Sequence, residues 1–121
     1  VQYSHARIAA ILRKAEQIGV NYQNPDLSSV QELAESETAL IQILNDFDRK
    51  IKLAGEEYSP AIIAQYLFDL AKEYNRFYAD LPIFHEKDQA IQSFRVALSA
   101  LTAQTIKKGM SLLGIHVPER M

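Results

Sequence analysis

The 121-residue sequence contains no cysteine, which excludes disulfide cross-links and thiolate-bound metals. It has only four glycines and four prolines. A chain so poor in turn-formers is expected to be helical instead of folding from many short strands. No run approaches the roughly 18 consecutive apolar residues that would suggest a membrane span. Thirteen Lys and Arg stand against fifteen Asp and Glu, a net charge of −2, so no general basic surface announces a nucleic-acid partner. There is no glycine-rich phosphate loop. His5, His85 and His116 are far apart with no ligand partners at helical spacing, so surface or packing roles are favoured and no metal site is expected. Glu35 with Glu37, and Glu56 with Glu57, read as solvated faces and not as paired acid–base groups, and no catalytic constellation is visible.

What is present is apolar periodicity. With 48% hydrophobic residues the chain can bury a core without staples, as one domain spanning residues 1–121. The stretch Ser59–Leu81 organises it. Ile63, Leu67, Leu70, Tyr74, Phe77 and Leu81 step by four and three along one helical stripe, which Ile62 and Tyr66 widen. Ser59 suits an N-cap and Pro60 the first helical position, and Pro82 marks the end. A face this broad needs several neighbours, so the segment reads as the central helix of a bundle.

The flanking sequence supplies those neighbours. A first helix is expected from about Val1 to Ile18, burying Ile8, Ile11, Leu12, Ala15 and Ile18, with Gly19 just past its end. Ser29 and Glu32 have capping-box spacing and open a short helix through Val30 and Leu33. From Ser36 to Ala54 the apolar set Leu40, Leu44, Phe47, Ile51 and Ala54 allows a single helix ended by Gly55. The NDFD run inside it is a candidate break, because Asn and Asp compete for backbone hydrogen bonds. A last long helix is expected from about Lys87 to Leu113 through Ile91, Phe94, Leu98 and Leu101, closed by Gly114 and Pro118. The chain starts with neither an initiator methionine nor a signal peptide, so a fragment of a longer protein is expected.

Three stretches carry a family resemblance. The opening VQYSHARIAAILRKA resembles the first helix of the anticodon-binding domain of arginyl-tRNA synthetases, with its Tyr-x-His-x-Arg core. The stretch SPAIIAQYLFDLAKEYNRFY resembles that domain's central helix. The close, GMSLLGIHVPERM, is similar to the family's C-terminus, terminal methionine included. Their shared order makes them jointly specific. Lys108-Gly109-Met110-Ser111 is a faint match to the ATP-binding lysine loop of class I synthetases. It is rejected because Leu112 replaces the second lysine and the stretch lies in a helix.

The resemblance implies an all-α, DALR-type anticodon-binding helical bundle of the class Ia synthetases, forming the C-terminal part of a cytoplasmic, monomeric enzyme that joins arginine to its tRNA with ATP and magnesium. The catalytic domain of the same chain would hold that chemistry, leaving this fragment inactive and without a cofactor or a membrane role. An unpaired RNA loop is read by stacking bases on aromatic faces and bonding their edges, which requires few charges and reconciles a net −2 with an RNA partner. Carried over by position, the implied contacts are Tyr3, Arg7, Tyr74, Tyr78 and Met121, with Asn75 and Arg76 as supports and Lys107, Lys108 and Arg120 toward phosphates. Tyr74 lies on the apolar stripe, where a core position with its hydroxyl at the rim is the alternative, whereas Tyr78 is off the seam. The competing readings are the equivalent domain of another class I synthetase and a non-catalytic helical interaction module.

Overall fold

A computed structural model describes residues 2–20, 34–81, 83–84 and 89–114, leaving aside the side chains of Gln2, Tyr3 and Gln89. Among the described residues there are five helices and no strand: α1 (Gln2–Gln17), α2 (Glu35–Asn45), α3 (Phe47–Glu56), α4 (Pro60–Asp80) and α5 (Gln89–Leu112). The short helix expected at Ser29 falls outside them.

Helix α4 is the centre of the bundle, as its sequence predicts. It packs against α2, α3 and α5 and meets α1 at its C-terminal end, while α1 lies mainly along α5. The buried side chains Ile63, Tyr66, Leu67, Leu70, Ala71, Tyr74 and Phe77 follow the four-and-three stripe. Burying each large apolar side chain contributes on the order of 1.5–3 kcal/mol, so this one face supplies much of the folding free energy. Tyr74 bonds Ser99 and Leu67 meets Gly109, so α5 runs antiparallel to α4. At Gly109 the two helices approach so closely that an added Cβ would lie 2.7 Å from Leu67 Cδ2. Here a glycine that weakens helix propensity is favoured by packing, since a Cβ would force the buried Leu67 side chain to shift.

Of the apolar stripe read from α5, Leu98 alone is buried, and Val96, Ala103, Ile106 and Met110 fill the core beside it. Leu101 is largely exposed, and Ser99, Thr102 and Thr105 are buried instead. Each hydroxyl donates to the carbonyl four residues back: Ser99 to Arg95 at 3.0 Å, Thr102 to Leu98 at 2.8 Å and Thr105 to Leu101 at 2.9 Å. That local bond removes the penalty of burying the oxygen, so a polar residue type occupies a core position.

Helix ends follow backbone needs. Gly19 has φ 79° and closes α1, with Val20 N–H reaching Ala15 O at 2.9 Å. Ile18, just before this turn, is exposed and not buried as expected. The candidate break at NDFD is real: α2 stops at Asn45 and α3 begins at Phe47. Asp46 between them keeps near-helical dihedrals, donating to Ile43 O, so the break is a bend and not a loop. Helix α3 does not stop at Gly55 but runs to Glu56. Its closing left-handed position is Tyr58, φ 50° and 93% exposed, with Ser59 N–H bonded to Ala54 O at 2.9 Å. Glycine is the usual occupant of that position, and the sequence pattern pointed three residues too early. Ser59 caps α4 with its carbonyl, accepting Ile62 N–H at 3.2 Å, while its hydroxyl makes no capping bond.

Candidate nucleic-acid interface

Where α1 crosses the C-terminal end of α4, two pairs of residues three apart face each other: Ser4 and Arg7 on α1, Asn75 and Tyr78 on α4. Arg7 Nη1 donates to Asn75 Oδ1 at 3.2 Å, and Asn75 Nδ2 donates to Ser4 Oγ at 3.3 Å. Both ends of the Asn75 amide are thereby fixed. The Arg7 guanidinium carbon lies 4.8 Å from the centroid of the Tyr78 ring. Arg7 is half-buried and Tyr78 is 42% exposed, so a planar cation is held on an aromatic ring that still reaches solvent. Such a pair offers a face for stacking and a fixed positive charge beside it.

Tyr74 stands one turn away and belongs to the core. It is 0% exposed, with its hydroxyl 2.8 Å from Ser99 Oγ. Ser99 gives its proton to Arg95 O, so Tyr74 is the donor in that bond. Burial pushes the phenol well above its ordinary value, the Ser99 bond opposing this in part. A side chain so enclosed cannot stack on a base, and Tyr74 is corrected from contact to scaffold.

Arg76 is likewise engaged. Its guanidinium lies 3.2 Å from Glu35 and 3.8 Å from both Glu73 and Asp80, tying α2 to α4. Ser36 Oγ donates to Asp80 Oδ2 at 2.8 Å across the same junction. Beneath it Glu37 is buried, contrary to its reading as a solvated carboxylate: Oε1 accepts Ala34 N–H at 2.9 Å and Oε2 accepts Arg95 Nε at 3.3 Å. Ser4, Asp80 and Arg95 are not singled out by the sequence pattern. A signal existed for Arg95, the one charge between Gln89 and Ile106, which in a buried helix demands a buried partner.

Lys107 and Lys108 are exposed, but not at this cluster. Gly109 packs on Leu67, eleven residues from Tyr78, which places the lysines about 16 Å along α4 from it at 1.5 Å per residue. Lys108 Nζ instead lies 5.8 Å from the Phe47 ring, beside a cavity of about 320 Å³ between the α2–α3 bend and α5. Arg120 and Met121 lie outside the described residues, as does the Tyr3 side chain. His5 is buried, a packing histidine. Among the described residues no group of three metal-ligating side chains gathers, and no helix is long and apolar enough to cross a membrane.

Comparison with known proteins extends this picture. Residues 1–121 match the DALR anticodon binding domain family. All 121 residues align at 49% identity with an arginine–tRNA ligase of Bacteroides thetaiotaomicron, covering 20% of that protein. An arginine–tRNA ligase of Porphyromonas gingivalis is 46% identical over the same span, again over 20% of its length. The arginyl-tRNA synthetase structure of Thermus thermophilus superposes with a TM-score of 0.83 at 35% identity, covering 99% of this chain and 20% of that one. The chain thus spans about one fifth of the length of the relatives it matches.

Proposed function

Because the chain belongs to the DALR anticodon binding domain family, we propose that residues 1–121 form the domain that holds the anticodon loop of an arginine-specific tRNA in a ligase that attaches arginine using ATP and magnesium. The reaction belongs to a catalytic domain of the same polypeptide, and the enzyme works as a cytoplasmic monomer. This chain's own part is binding and orientation.

The observation that carries the reading is the Arg7–Tyr78 pair braced by Asn75. An unpaired base stacks against the solvent-reaching part of the Tyr78 ring, and Arg7 supplies a charge whose position Asn75 and Ser4 have already fixed. Little side-chain entropy is then lost on binding. Arg76 supports the site indirectly, through its exposed ion pair with Glu35 of α2 beside the Ser36–Asp80 hydrogen bond. Tyr3 precedes Arg7 by four residues and, with Met121 and Arg120, completes the contact set the family resemblance implies.

The test is binding of the arginine-specific anticodon stem-loop to the intact ligase. Tyr78→Ala should weaken it by about 1–3 kcal/mol, the scale of one lost base stack, while the melting temperature moves little. Unchanged affinity in a folded variant would remove the stacking role. Tighter binding of a different tRNA's stem-loop by the unaltered enzyme would assign the domain to another synthetase.

A further inference from the structure

The Arg7–Tyr78 contact is one of two similar contacts on the same side of α1. Lys14 Nζ lies 4.6 Å from the centroid of the Phe84 ring, just past the end of α4. Seven residues separate Arg7 from Lys14, which is about 10.5 Å along the helix with only about 20° of rotation between them. Positions 7, 10, 14, 17 and 18 of this stripe are Arg, Ala, Lys, Gln and Ile, so no carboxylate of the helix itself interrupts it. Phe84 is half-buried and packs on the core beside the buried Ile83, whereas Lys14 is exposed.

We propose that the RNA-binding face continues along α1 to this second pair, and that Lys14 holds a backbone phosphate of the strand whose base stacks at Tyr78. The inference rests on the anticodon-binding reading above. An ammonium is a compact charge with three donors. With Phe84 on one side, its remaining N–H groups point outward to a phosphate oxygen. A lysine normally loses much rotamer freedom when it binds. One already laid on an anchored ring loses less, so Phe84 acts as a positioning residue for Lys14. The two pairs divide the work: Tyr78 meets a base, and Lys14 meets the sequence-independent backbone.

The experiment measures affinity of the intact ligase for the arginine-specific anticodon stem-loop as a function of salt. Lys14→Gln should reduce the magnitude of the slope of log K against log salt concentration by about 0.7, the share of one single-strand phosphate. It should weaken cognate and loop-substituted RNAs by the same factor. Phe84→Leu should weaken binding in the same direction, with a smaller effect when Lys14 is already Gln. Lys52→Gln on α3, an equal change of charge on another helix, should leave the slope in place. An unchanged slope in Lys14→Gln, or an equal reduction in Lys52→Gln, would overturn the proposal. Tyr78→Ala run in parallel separates the two readings. A weakened Tyr78→Ala with a silent Lys14→Gln removes only the phosphate contact. A silent Tyr78→Ala with a lowered slope in Lys14→Gln removes only the stacking reading and supports the contact proposed here.

Discussion

Tyr74 and Tyr78 sit one turn apart on one helix, and they meet opposite environments. Tyr74 faces α5, is sealed from solvent and spends its hydroxyl on Ser99; Tyr78 faces α1, carries a guanidinium on its ring and remains 42% exposed. The turn between them rotates the side chain by only about 40°. That rotation takes it from the α4–α5 seam, where two helices run side by side, to the edge where α1 crosses the end of α4. The seam stores stability and the edge carries the proposed base contact, so each can be perturbed separately.

The largest expected effect comes from the seam. Leu70 is fully buried at the middle of the stripe, so Leu70→Ala should cost about 2–5 kcal/mol of folding stability through the cavity it leaves. Denaturant unfolding of the domain measures this, and RNA affinity per folded molecule should stay constant. A loss below about 1 kcal/mol would show that the seam can collapse around the gap and that the sealed half is softer than its burial suggests. Tyr78→Ala is the opposite perturbation, with affinity falling by about 1–3 kcal/mol and stability scarcely moving. If both variants lost stability and affinity together, the two regions would be one cooperative unit and the contrast would fail.

How far the contrast could be read from sequence depends on what each region is made of. The α4 stripe was legible because apolar spacing is a direct record of which side is covered, and the end of α1 was legible because only glycine readily takes its left-handed position. The buried face of α5 was not, since Ser99, Thr102 and Thr105 cancel their own polarity with local hydrogen bonds that no hydropathy pattern records. The end of α3 was misplaced for a related reason: Tyr58 takes the left-handed position although Gly55 stands three residues before it. At the site, sequence placed Arg7, Asn75 and Tyr78 on two separate helices, and only tertiary structure joins them into one cluster. Lys107 and Lys108 show the converse: clustering toward the C-terminal end of the chain suggests phosphate contacts, and geometry sets them about 16 Å from Tyr78 along α4, at 1.5 Å of rise per residue. Tyr74 was ambiguous because a helical stripe cannot tell a core tyrosine from one at the rim. The hydroxyl's partner, Ser99, lies on a different helix.

The smallest change sharpens the comparison most. Tyr74→Phe removes one hydroxyl and leaves the ring in place against Phe77, whose centroid is 5.6 Å away. Ser99 keeps its bond to Arg95 O, so no donor is stranded, and the loss at neutral pH should be that of one hydrogen bond, about 0.5–1.5 kcal/mol. Its dependence on pH has a definite sign. Burial raises the Tyr74 phenol above its ordinary 10.0, so the folded state favours the neutral form. The stability this provides is complete below pH 10 and is lost as the unfolded chain ionises above it. Tyr66, raised by burial and by the nearby Asp46 and Asp48 charges, adds a second contribution of the same sign. Tyr74→Phe should therefore lose stability less steeply than the parent between pH 10 and pH 12. The gap between the two proteins should narrow as pH rises, with RNA affinity at neutral pH unchanged. Urea unfolding at a series of alkaline pH values measures it. Parallel curves would mean that Tyr74 ionises freely in the folded state, which would return it from the sealed seam to the accessible edge.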